Sequence, residues 1–119
     1  MKNVKDEVYK ALSTVAENVS DSYPQDWSKI PTIQYMEEDN RVNERVANEE
    51  ATAYVRYRID VWHNVSTSET ACEVDKAISA LGLVRTLCQD ASDPSGLKHK
   101  VMRYEGIIDM NSDVVYWNN

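Results

Sequence analysis

Phenylalanine is absent from this 119-residue chain. The aromatic content rests on seven tyrosines and three tryptophans, whose polar tips suit contact surfaces as well as cores. Glycine occurs three times, at Gly82, Gly96 and Gly106, so there is no glycine-rich loop to cradle a phosphate. The two histidines, His63 and His99, lie far apart without HExxH or paired-cysteine spacing. The spacing expects two surface histidines and no metal centre. Cys72 and Cys88 are also far apart, and free thiols are expected for a cytoplasmic protein. No long apolar run provides a transmembrane helix, and the start, Met1-Lys2-Asn3-Val4-Lys5-Asp6, lacks an apolar segment of signal-peptide type. No Lys/Arg cluster stands out, and the formal charge is −7. Binding of nucleic acid by phosphate neutralisation is therefore disfavoured, and an acidic surface repels DNA.

What is present fits one domain over residues 1–119, with 42% hydrophobic residues and a real core. Val4, Val8, Leu12, Val15 and Val19 recur at helical spacing and predict a helix over 3–20, with Asn3 as N-cap. Tyr23-Pro24 ends it, and Trp27 anchors a connector to Ile30. Pro31 opens a strand over Thr32–Glu37. Residues 38–50 are polar and lack apolar periodicity beyond Val42 and Val46. They read as an exposed hairpin tip or loop.

The clearest element is Ala53–Trp62. Ala53, Val55, Tyr57, Ile59 and Val61 alternate with Tyr54, Arg56, Arg58, Asp60 and Trp62, so one face belongs to a core. The other face has a composition enriched at protein interfaces. The Arg56/Arg58 pair can bind an anion or another subunit's carboxylate, or pair with the chain's own acids. Ser66-x-x-Glu69 is a capping box, with the hydroxyl serving the N3 amide, and opens a helix to Leu81. Gly82 stands where a left-handed C-terminal cap belongs. Leu83–Gln89 reads as a strand with Val84 and Leu87 buried. Lys98–Met110 alternates again, with Gly106 as a possible bulge, and Val114–Trp117 is a last short strand or tail. The expected fold is α+β: a mostly antiparallel sheet of about four strands with two helices packed on one face, in the order α-β-β-α-β-β.

No catalytic constellation emerges. Cys72 lies beside an apolar helix stripe, Ser66 is absorbed by capping, and no GxSxG occurs. Glu37-Glu38-Asp39 and Glu49-Glu50 are carboxylate runs, but neighbours on a strand face opposite ways.

The order of features carries a resemblance. An N-terminal helix leads to Tyr23-Pro24, then Ile30-Pro31-Thr32-Ile33-Gln34-Tyr35. A charged segment precedes Tyr57-Arg58-Ile59-Asp60-Val61-Trp62. A helix from Ser66–Glu69 to Ala80-Leu81-Gly82 follows, and Met102-Arg103-Tyr104-Glu105-Gly106-Ile107-Ile108-Asp109 closes the chain. This resembles the tail-completion, or tail-terminator, proteins of long-tailed bacteriophages and prophages. The resemblance implies a small α+β protomer that forms a homo-oligomeric ring, commonly a hexamer, at the head-proximal end of the tail tube. It implies contact with tail-tube and head–tail connector proteins, DNA only in transit, no membrane, no enzymatic activity and no cofactor. It also implies a place in the virion neck after assembly in the bacterial host cytoplasm. Under that reading Tyr54, Arg56, Arg58 and Trp62 are candidate subunit-interface residues. Glu38, Asp39, Arg41, Glu44, Arg45, Glu49 and Glu50 are candidates for lumen or neighbour contact. Another neck component, such as a head-completion stopper or adaptor, and a cytosolic protein-binding module unrelated to phage remain open alternatives.

Overall fold

A computed structural model of the chain describes residues 1–117; Asn118 and Asn119, the end of the expected 1–119 domain, lie outside the described residues. The elements in chain order are α1 (Lys5–Ser13), β1 (Asn18–Ser20), β2 (Thr32–Val46), β3 (Glu49–His63), α2 (Ser68–Ser79), β4 (Val84–Ala91), β5 (Lys98–Asp109) and β6 (Val115–Tyr116). The protein is α+β with two helices, but its sheet corrects the expected one. Among the described residues it has six strands in the order β1-β2-β3-β5-β4, with β6 pairing β5, and it is mixed because β1 runs parallel to β2. The expected four antiparallel strands left out β1 altogether and left β6, within Val114–Trp117, open between a short strand and a tail. Three- and two-residue strands are too short to display a period of two.

The first expected helix is the origin of the missed β1. Val15 and Val19 continue helical spacing, yet α1 stops at Ser13. Ser13 Oγ donates to Tyr9 O at 2.8 Å and Thr14 Oγ1 to Ala11 O at 2.6 Å. Such hydroxyls compete with the helical backbone ladder. Val15 and Val19 still pack against the core, but from a turn and a strand.

β3 is the central strand, with β2 on one side and β5 on the other, antiparallel to both. Its core face, Val55, Tyr57, Ile59 and Val61, is fully buried. Ile33 and Tyr35 of β2 and Met102, Tyr104 and Ile108 of β5 join it. Val8 and Leu12 of α1 and Ala71, Val74 and Ile78 of α2 cover this same face. Two tyrosines on it satisfy their hydroxyls across layers. Tyr57 Oη accepts the Val4 N–H at 2.9 Å and donates to Glu37 Oε1 at 3.1 Å. Tyr104 Oη donates to Asp75 Oδ1 of α2 at 2.8 Å. Burial pushes both phenols well above their ordinary range.

Four local expectations change. Of the two readings of residues 38–50, the structure has the hairpin and not the loop: 38–46 continue β2, and only Ala47 and Asn48, both at positive φ, form the turn into β3. The helix after His63 begins at Ser68, and Ser66 Oγ accepts the Ser68 N–H rather than that of Glu69. Val84 is 40% exposed and Leu87 only partly buried, while Leu83 takes the buried place. A register shift between Arg85 and Leu87, on a strand with one neighbour, displaces the alternation there. Gly106 is in regular register opposite Val55 rather than in a bulge. Its missing side chain makes room for Leu83, since a Cβ would meet Leu83 Cδ2 at 2.7 Å. Gly82 does adopt a left-handed conformation, φ +95°, just after α2.

Candidate functional site

The sheet face opposite the helices is the most ordered polar surface of the protein. Cross-strand partners share a face. Register therefore stacks Trp62 against Thr32 and His99, Asp60 against Gln34 and Val101, and Arg58 against Met36 and Arg103. Arg56 lies between Asp39 and Glu105, and Tyr54 between Arg41 and Ile107. All four candidate interface residues of β3 thus stand on one face. Tyr54 and Trp62, however, are only 7% and 3% exposed.

Arg58 opposite Arg103 is a like-charge pair, which alone is unfavourable. Two carboxylates resolve it. Asp60 takes Arg58 in a two-pronged pair, Nε to Oδ1 at 2.8 Å and Nη2 to Oδ2 at 3.0 Å. Glu38 takes Arg103, Nε to Oε1 at 2.9 Å and Nη2 to Oε2 at 3.3 Å, and also accepts from Arg56 Nε at 3.2 Å. Glu38 reaches this position because the β2 register slips between Glu37 and Asp39. The slip leaves Glu38 as an extra residue, and a bulge of this kind re-aims a side chain. Burial acts to raise the Glu38 pKa, but the hydrogen bond and charge of Arg103, then those of Arg56, hold it below the ordinary carboxylate range.

The two ends of the face are aromatic. At one end Trp62 packs edge-on against Trp27 at 5.2 Å and stacks on His99 at 4.5 Å with planes 13° apart. Its indole N–H donates to Asp93 Oδ1 at 3.1 Å. Hydrogen bonds from Ser95 and then from Trp62 hold Asp93 below its ordinary range. His99, expected at the surface, is only 10% exposed, and its Nε2 lies 2.7 Å from Asp60 Oδ2. At the other end Tyr54 hydrogen-bonds to Glu105, Arg41 lies over its ring at 4.3 Å, and Trp117 packs beside it at 6.2 Å. Burial and then Glu105 raise the Tyr54 phenol.

The charged segment of the sequence divides. Glu38 belongs to the ionic centre just described. Asp39 pairs with Arg41 at 3.3 Å, and Glu50 receives the Met1 amino group at 2.9 Å. Arg45 Nη2 donates to Asn48 O at 2.6 Å and closes the turn. Glu44 and Glu49 are exposed, as are Val42 and Val46 at 46% and 60%. Beyond Thr52, which pairs with Asp109 at the end of β5, the hairpin has no third strand. It continues from there as a two-stranded arm.

Asp60, Asp93 and His99 are organising residues that sequence reasoning passed over, and Glu38, expected to face a lumen or a neighbour, instead pairs with Arg103 and Arg56 within the protomer. Alternation placed Asp60 on the polar face, but nothing in spacing links it to His99, 39 residues later. A cavity of about 570 Å³ adjoins this end and is lined by Ser66, Asp90, Asp93, Lys98, His99 and Lys100 among others. Its charges are mixed, and Lys100 is paired with Asp90 at 3.2 Å. Among the described residues no group of three or more His, Cys, Asp or Glu side chains converges as a metal site. No helix among them is long and apolar enough to cross a membrane. The fold and this face together define a small α+β protein whose organised surface is a charge-paired, aromatic-ended sheet face with a projecting hairpin. No family model and no curated protein matches the chain.

Proposed function

We propose that this chain is a structural virion protein of the tail-terminator kind. It assembles as a homo-oligomeric ring, six-membered by resemblance, at the head-proximal end of a phage tail tube. The ring ends tube polymerisation and joins the tail to the head-side connector. It acts without enzymatic chemistry or cofactor, and DNA only passes through. It is made in the bacterial host cytoplasm and resides in the virion neck.

One observation carries this reading beyond the resemblance: the two-stranded arm from Arg45 to Ala51, with the free edge of β2 that leads into it. An isolated hairpin is marginal in water, and this one keeps Val42 and Val46 exposed on a free strand. An arm of this kind is stabilised by packing on a neighbour. Its bulges and charges at Asp39, Arg41, Glu44 and Arg45 guard the free edge against indiscriminate pairing. The rest of the molecule supports a rigid building block, because the outer face is tied by ion pairs within the protomer.

Light scattering over a concentration series, with and without tail-tube protein, tests the proposal. Oligomers, or tube-dependent oligomers, are expected. Val42→Asp with Val46→Asp is expected to abolish them while the unfolding midpoint stays unchanged, since both positions are exposed. A wild-type chain that stays monomeric and never binds tubes would overturn the reading.

A further inference from the structure

The tip of the arm and the cavity of about 570 Å³ lie at opposite ends of β3. The arm turns into β3 at Glu49. At the other end β3 stops at His63, and Val65 to Ser68, just after it, line the cavity. Lys98, the register partner of His63, lines it too, with Asp90 and Ala91, where the free-edge strand β4 ends. β3 is 15 residues long, so the arm of a chain cannot reach that chain's own cavity. Whatever enters the cavity comes from another molecule.

The cavity has polar groups that the chain itself leaves unused. Asp90 pairs with Lys100 at 3.2 Å, and Asp93 accepts from Trp62 and Ser95. Lys98 makes no ion pair among the described residues. Thr67 is only 5% exposed, and its hydroxyl neither caps α2 nor meets another partner among them. His99 Nδ1 is the one side-chain N or O atom among them that is both sealed and unpartnered, so the Thr67 oxygen keeps an open side, and Thr67 lines this cavity. Val65, on the same lining, is 73% exposed. An ammonium without a counter-ion beside a hydroxyl without an acceptor suits a carboxylate. The arm tip carries that chemistry. Glu44 and Glu49 are exposed and unpaired among the described residues, and Val46, the register partner of Glu49, is 60% exposed.

We propose that the arm tip of one copy docks in this cavity of the next, with Glu44 and Glu49 facing Lys98 and the Thr67 hydroxyl while Val46 packs on Val65. The docking rests on the reading of the arm as an assembly element and names its receptor. Donor and receptor are different patches at opposite ends of one strand, so the contact is head-to-tail and every copy uses both. Such contacts close into a ring when the rotation between copies permits, and otherwise run on as a filament.

The test uses the full chain, alone and with tail-tube protein. Lys98→Glu, and separately Glu44→Lys with Glu49→Lys, are each expected to weaken self-association about tenfold in sedimentation velocity. All three substitutions together should restore it, because the contact is then rebuilt with its charges exchanged. The urea midpoint should stay unchanged, since all three positions are exposed. Proximity is read separately in a Cys72→Ser, Cys88→Ser background. A chain with Val46→Cys is mixed with a chain with Val65→Cys under mild oxidation, and a covalent dimer of the two different chains is expected to dominate over either homodimer. Undiminished oligomers in the charge variants, with no cross-link between positions 46 and 65, overturn the docking and leave the ring to another contact. Weakening that the triple variant does not reverse overturns it as well. A cross-link formed within open filaments supports the docking and overturns the ring. A chain that stays monomeric with and without tubes, and gives no cross-link, overturns both.

Discussion

Glu38 holds the outer face together as a single side chain. It separates Arg56 from Arg103 and accepts from both. Glu38→Gln keeps the shape but removes the charge, and is expected to lower stability by about 1–2 kcal/mol in urea unfolding. The sign of the pH effect follows from its depressed pKa. The unfolded chain protonates at the ordinary carboxylate value near 4.3, before the folded one does. The stabilisation is therefore complete above that value and is lost as pH falls through the lower folded pKa. Asp93 adds a loss of the same sign. Urea midpoints measured from pH 7 down to pH 3 are expected to fall, and to fall less steeply in Glu38→Gln. Arg58 is a different case. Its partner Asp60 is buried, so Arg58→Glu leaves two acids facing each other and is expected to destabilise the fold rather than report on assembly.

At the scale of elements, the attachment of α1 and β6 rests on a few contacts. The start of α1 is tied to β3 through the Val4 N–H and Tyr57 Oη. Tyr57→Phe leaves that N–H without its acceptor and is expected to cost about 1–2 kcal/mol, with faster amide exchange at Val4. β6 crosses directly over Gly82, where a Cβ would lie 2.4 Å from Val115 O. Gly82→Ala also forces a side chain onto φ +95°, so its cost is expected to exceed the about 1 kcal/mol of a left-handed residue alone. Loss of protection at Ile107 and Asp109, whose N–H groups point to the β6 side, would be the signature in hydrogen exchange. β3 is the opposite case, a strand paired on both sides. Ile59→Asp places an unpaired charge at a fully buried position and is expected to abolish cooperative unfolding, read by circular dichroism.

For the molecule as a whole, one sheet face supplies the core and the other is a closed network of ion pairs. The arm and the free edges of β2 and β4 are what remain to meet other molecules. The exposed Val42 and Val46 are therefore the positions where substitutions should alter association without altering the fold. Tyr54 and Trp62 do not serve for that purpose, because they are covered within the protomer.

Period-two alternation in the chain was enough to define β3 and β5 and their core faces, because each is long and one side of each is buried. A left-handed glycine after α2 was legible for a similarly local reason: only Gly82 could take that backbone conformation cheaply. The strand status of residues 38–46 was not legible, because a strand with no core beneath it shows no alternation. Nor was β1, whose few residues are strand only because β2 lies alongside, and for β6 the sequence left strand and tail undecided until its pairing with β5 settled it. Pairing of Glu38 with Arg103 and of Asp60 with His99 are both contacts between distant positions. Local patterns specify which way a side chain points along its own element. Only sheet order, register and the bulge at Glu38 decide what it meets there, and those arise from the packing of all the elements at once.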